Sequence, residues 1–315
     1  MNNQNINRTS KSYLLKLSIP IFFSNMAIPL VGLVDTGLMG HLSSEKYLAA
    51  IGIATSVVTM IFWSFGFLRM ATVGLISQSL GRENYNEIIF IFIRNLSIAI
   101  IIGFLIFLLK NPILFMTEYF FKTSFETQLL VNEYITVRIF SAPAELIIYV
   151  LVGLYLGLQK TNVSSLLISI FCLSNIILST TLVTVYDLEI FGAALGTVIA
   201  AYVSVVIFLI YSYSTLKDKL TTKFTLNKIF NTKKLLTLFD INFDIFIRTI
   251  FLTFSFLWVT YQSSKLGEDY LAVNTILIQF IMMASFFLDA YAFSTEAIVG
   301  YVIGTKSKNS FLKIV

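Results

Sequence analysis

Blocks of about twenty apolar residues recur along almost the whole of this chain, with short polar connections between them. Twenty such residues are what a helix needs to cross about 30 Å of hydrocarbon. In lipid every backbone N–H and C=O must find a protein partner, which leaves only helices and closed barrels. Blocks of this length in series therefore point to an all-α polytopic membrane protein. Composition agrees, with 57% hydrophobic residues, 12% charged and a mean hydropathy of +0.84, whereas soluble domains are about a quarter charged. The expected spans run roughly over residues 17–40, 47–77, 88–109, 128–157, 163–185, 190–213, 243–264 and 271–303. The first block is too long and too rich in Gly and Pro for a cleaved signal, so it reads as a retained span.

The connections sort by charge. Arg8, Lys11 and Lys16 precede span one, Arg82 follows span two, Lys160 follows span four, and Lys217, Lys219, Lys223, Lys228, Lys233 and Lys234 fill the loop after span six. All fall on one side, while the opposite loops "HLSSEKY" and "YDLEIFG" carry few basic residues or none. The positive-inside rule then makes the N-terminus cytoplasmic in a multi-pass protein of the inner (plasma) membrane. Topology accounts for the net charge of +5, so the expected partner is the lipid bilayer and not a nucleic acid. Cys172 is the only cysteine, which rules out an internal disulfide or a thiolate metal cluster. With one histidine, no HExxH and no GxGD protease pair, the chain offers no enzyme motif and no cofactor.

The basic linker divides the chain into residues 1–214 with six spans, the cytoplasmic linker 215–240, and residues 241–315 with two more. The two spans after the linker resemble the first two of the chain. "YLAAI" at Tyr47 recurs as "YLAVN" at Tyr270, and the same register pairs Ile53 with Ile276, Met60 with Met283, Thr72 with Thr295 and Gly81 with Gly304. Internal similarity with an even number of spans per copy marks a parallel-repeat transporter fold. Six spans per copy predict twelve, so this chain reads as about eight of twelve: a complete first lobe and the start of a second, cut short or shortened.

The stretches "IPIFFSNMAIPLVGLVDTGLMGHL", "FLRMATVGLISQSLGREN", "RIFSAPAELIIYVLVGLYLGLQ", "SNIILS", "GAALGTVIA" and "LDAYAFSTEAIVGYVIG", in this order, resemble the multidrug and toxic compound extrusion (MATE) transporters, in particular their DinF-like branch. The resemblance implies a two-lobed, cation-coupled antiporter that carries small organic compounds, often cationic xenobiotics, out of the cytoplasm. It also implies that Asp35 is the coupling-ion residue, with Asn175 and Thr197 supplying an amide and a hydroxyl from helices five and six. The same three could hold Na⁺. Where the branch keeps a second aspartate this chain has Ser179, which removes a charge that would help hold a metal ion, so H⁺ is favoured over Na⁺.

Chemistry alone singles out Asp35 as well. A carboxylate at a helix centre costs about 2.5–3.5 kcal/mol on insertion scales and tends to mark an ion or proton site. Asp289 and Glu296, seven apart on one helical face, match acids of the family and read as a polar lining in the second lobe. Arg69, Arg94, Arg138 and Arg248 read as structurally paired, with Asp244–Arg248 and Glu133–Arg138 as the expected pairs. Pro20, Pro29 and Pro143 mark expected bends, and His41 an interfacial position. Two alternatives stay open. One is a lipid-linked oligosaccharide flippase, whose cavity would be lined by arginines. The other is a non-functional remnant, in which the chain inserts without transporting because Asp244, Asp289 and Glu296 lack shielding partners.

Overall fold

The computed structural model describes residues 11–42, 44–121, 123–219, 243–255, 258–259, 262, 268–308 and 311–312. The helices are α1 (Lys11–Gly40), α2 (Glu45–Ser64), α3 (Phe67–Gly81), α4 (Tyr85–Leu108), α5 (Lys110–Phe120), α6 (Phe125–Arg138), α7 (Ala142–Gly157), α8 (Thr161–Thr184), α9 (Glu189–Leu216) and α10 (Glu268–Thr305). Residues 243–255 are also helical. Seven stretches among the described residues are long and apolar enough to cross a membrane, from Ser12–Gly40 to Ala284–Thr305. The seventh expected span, 243–264, lies partly outside the described residues, as does most of the linker 215–240. At its near end α9 runs on to Leu216, two residues past the expected lobe boundary, and a short 3-10 turn covers Lys217–Lys219.

Among the described residues two spans are broken, and only one of them at a proline. Span four changes from α6 to α7 through a 3-10 turn at Ile139–Ser141, and Pro143 opens α7, where its missing N–H is tolerated. Span two breaks at Phe65–Gly66, between α2 and α3, with no proline nearby. Pro20 and Pro29 instead lie inside the unbroken α1, so the bends expected there are not breaks. Asn84 and Ser124 cap α4 and α6 by accepting from Glu87 N and Thr127 N at 3.1 and 3.3 Å, which satisfies orphan N–H donors at those ends.

Span four is the axis of the bundle. Of its most apolar stretch 78% is buried, against 28–50% in the other six. Its α7 half packs on α3, α4, α8 and α9, while α1 lies between α8 and α10. The outward faces stay apolar, with Phe104, Leu105, Leu173, Ile177 and Ile210 exposed as a lipid-facing surface requires.

Contacts at the two ends match the charge sorting. Tyr13 Oη donates to Gln159 Oε1 at 3.2 Å, and Lys219 Nζ sits 4.5 Å from the Tyr85 ring centroid. Lys160 has its pKa lowered by burial and by Lys219 beside it. The connections before span one and after spans two, four and six thus meet at one end. At the other, Lys46 pairs with Glu126, and Tyr47 Oη donates to Glu189 Oε2 at 2.5 Å. Exposed His41 sits here, its Nδ1 2.7 Å from Gly37 O. A reporter that fluoresces only in the cytoplasm should light when fused within residues 217–234 and stay dark within 186–191. The reverse pattern would overturn the expected cytoplasmic N-terminus.

The tightest helix contact joins α10 to α3. A Cβ on Gly81 would lie 2.1 Å from Tyr301 O, one on Gly304 would lie 2.2 Å from Gln78 O, and one on Gly300 would lie 1.9 Å from Ser77 Oγ. The register that equates Gly81 with Gly304 also equates Gln78 with Tyr301 and Ser77 with Gly300. Each contact is therefore its own mirror or has one, as two copies related by a two-fold axis would make. The small-xxx-small spacing on both helices lets the backbones approach.

Candidate functional site

Asp35 lies five residues before the end of α1 at Gly40, about one and a half turns from the non-basic end. The span centre expected for it is thus corrected to the half nearer that end. Glycines at 32 and 37 leave α1 slim on either side of it, and the carboxylate itself is buried, 4% exposed. It lies on the side of α1 that packs on α8, with Ser179 of α8 and the Arg138 guanidinium of α6 as its polar neighbours, while Ser179 Oγ donates to Ala193 O at 3.3 Å. Its Oδ1 has no donor.

Asn175 stands one turn from Ser179 on α8, so both present to the same face. Both are fully buried, and Thr197 of α9 is 3% exposed. Asn175 Nδ2 donates to Thr197 Oγ1 at 2.6 Å, and Thr197 Oγ1 donates to Ala193 O at 3.2 Å. Since the hydroxyl's single proton goes to Ala193, it must accept from the amide nitrogen, which fixes the orientation of Asn175. The amide oxygen, buried and without a donor, is left as an acceptor. Gly196 makes this closeness possible. A Cβ there would lie 2.6 Å from both Ser179 N and Ser179 Oγ. All four first-lobe residues singled out in the sequence thus lie on the packed faces of α1, α8 and α9, in an acceptor-rich setting suited to a carboxyl proton or a small cation. Groups of three or more His, Cys, Asp or Glu that could hold a metal ion are absent among the described residues.

The arginines depart from expectation. Arg138 pairs with Glu145 and not with Glu133, and it also bonds Ser141. The 3-10 turn and the start of α7 bring residue 145 under the guanidinium, whereas Glu133 is exposed and its charged neighbour is Glu189. Arg94 pairs with Glu87 at 3.1 Å. Asp244 and Arg248 form no ion pair among the described residues; the acid near Arg248 is Glu296. Arg69 stacks on Phe293 of α10, 3.6 Å from guanidinium carbon to ring centroid. Its charged neighbours are Glu296 and Asp289. The expectation that both second-lobe acids lack facing charges is therefore corrected. Glu145, Tyr134 and Tyr149 were missed in the sequence; the seven-residue step from Arg138 to Glu145 was a signal that could have found the first.

The MatE family model matches residues 20–181. "DNA damage-inducible protein F" of Escherichia coli K12 is 32% identical over 308 residues, covering 97% of this chain and 66% of that protein. "Multidrug export protein MepA" of Staphylococcus aureus is 23% identical over 272 residues, covering 85% of this chain and 59% of that protein. The chain thus spans just under two thirds of the first relative's length and less of the second's. A solved structure described as a crystal structure of MATE in the bent conformation superposes with a TM-score of 0.87 at 18% identity, covering 100% of this chain and 70% of that one. A transporter of the MOP superfamily from Pyrococcus furiosus gives 0.82 at 19% identity, over 96% and 66%. These two show the fold alone.

Proposed function

We propose, from the premise that this chain belongs to the MatE family, that it is the larger part of a secondary active exporter, which moves small organic compounds out of the cytoplasm across the inner membrane in exchange for protons. The observation that carries this reading is the buried Asp35 with Ser179 and Arg138 at its side. A carboxylate in a membrane helix, facing protein and not lipid, is the ordinary place for a proton to load and leave. The multidrug export named for the Staphylococcus aureus relative supports the substrate class.

Protons suit the site better than sodium. Thr197 Oγ1 already accepts from Asn175 and donates to Ala193, so it offers a cation one lone pair at most. The free acceptor, Asn175 Oδ1, needs a donor, and a protonated carboxyl is one. Ser179 supplies a hydroxyl where a second acid would have favoured a metal ion. A flippase would need several arginines open to its cavity, and two of the four, Arg94 and Arg138, are engaged by Glu87 and Glu145.

A chimera of this chain with the remaining third of the Escherichia coli relative provides the test. In everted vesicles, proton-driven uptake of a cationic dye should fall to the level of empty vesicles in Asp35→Asn at equal membrane content. Uptake against a gradient by the Asn variant would make Asp35 structural.

A further inference from the structure

One face of span four carries a row of polar side chains through the most buried part of the bundle. Arg138, Ser141, Glu145 and Tyr149 follow at steps of three and four, the spacing that keeps residues on one helical face, and the row continues across the 3-10 turn. Its members touch: Arg138 Nη1 bonds Ser141 and Glu145, and Ser141 Oγ donates to Glu145 Oε1 at 2.9 Å. At one end of the row, Arg138 neighbours Asp35 and the buried Tyr134. At the other, Tyr149 has Glu145, Arg138 and Arg69 as its charged neighbours. The Arg69 guanidinium sits over the ring of Phe293, which is one turn from Asp289 on one side and from Glu296 on the other. Its Nη1 is a buried donor without an acceptor, although both carboxylates are close by. Arg248 is the further cation beside Glu296.

The repeat sharpens this. In the register that pairs Gly81 with Gly304, Asp289 and Glu296 stand opposite Gly66 and Val73, and Arg69 stands opposite Ala292. The two copies carry opposite charge where they face each other, and neither charge has a counterpart in the other copy.

We propose that Arg138, Glu145, Tyr149 and Arg69 are positioning residues of a charge relay that couples the protonation of Asp35 to that of Asp289 and Glu296 on α10. With Asp35 ionised, Arg138 is shared between Asp35 and Glu145. A proton on Asp35 leaves Arg138 to Glu145 alone. Glu145 is then neutralised, and Arg69 turns its unpaired N–H toward the α10 acids. The arrival of a proton at one end favours its departure at the other. The relay rests on the reading of Asp35 as a proton site.

The test is a coupling measurement on this chain in lipid, with no transport needed. The infrared C=O stretch of protonated Asp35, assigned by its loss in Asp35→Asn, gives the midpoint of its titration. Glu296→Gln should change the apparent proton affinity of Asp35 by about fivefold or more, the lower range of site-to-site coupling. Asp35→Asn should change that of Glu296 by the same factor, as linkage requires. In a Glu145→Gln background the effect of Glu296→Gln should disappear, and Glu145→Asp should restore it. If Glu145→Gln does not fold, Arg69→Gln makes the same test from the far end. A Glu296 effect that survives both substitutions at full size means direct action through space and overturns the relay alone. An Asp35 band that never titrates overturns both the relay and the proton site.

Discussion

Gly304→Val and Gly81→Val should each detach α10 from the bundle and leave α1–α9 folded. At both positions the obstacle to a side chain is a backbone oxygen, Gln78 O at 2.2 Å and Tyr301 O at 2.1 Å, and a carbonyl inside a helix cannot step aside without breaking its ladder. Overpacking a tight contact costs about 1–3 kcal/mol, and here the upper end applies. Trypsin cleavage of the chain in lipid reads the outcome. Lys306 and Lys308, just beyond α10, should be cut much faster in the variants, while cleavage at Arg82 and Lys160 stays at the parental rate. Uniform acceleration at all four would mean that the α3–α10 contact supports the whole fold.

Gly196→Ala should disable the Asp35 site with a single methyl group. Its Cβ would meet Ser179 N and Oγ at 2.6 Å, so α9 must withdraw from α8 at the level where Asn175 reaches Thr197. The 2.6 Å hydrogen bond between them then opens, and two buried polar groups lose their partner at about 1–3 kcal/mol. A thermal scan should show the loss of stability, and the Asp35 carboxyl band should move although Asp35 is untouched. A band in its parental position would show that Asn175 and Thr197 do not shape the environment of Asp35.

The two sites differ in how far the sequence announced them. Span number and order follow from apolar length alone, because lipid leaves the backbone so few options. The break of span four was legible in Pro143; that of span two was not, since Phe65–Gly66 carries no proline and glycines are common in membrane helices. Asp35 stood out as a charge in an apolar run, Asn175, Ser179 and Thr197 were pointed to by the family resemblance, and the packing of α1, α8 and α9 gathers them. The partner of Arg138 was misread because Glu133 and Arg138 were placed on one regular helix, whereas the 3-10 turn re-aims the chain toward Glu145. The facing of Arg69 and α10 could not be read from local spacing, for it joins residues more than two hundred positions apart. Even so, the repeat register contained half of the answer, since it set Gly81 against Gly304, and these two touch.

The same register equates a broken helix with an unbroken one. Span two has a knee at Phe65–Gly66, while α10 runs as one helix through the matching place for 38 residues, about 57 Å. A knee absorbs a rotation locally, but a rod passes it on. Held at Gly300 and Gly304 near one end, α10 has the proportions of a lever with its fulcrum off centre. Any swing about that pivot would be widest at Glu268, the end of α10 farthest from Gly304.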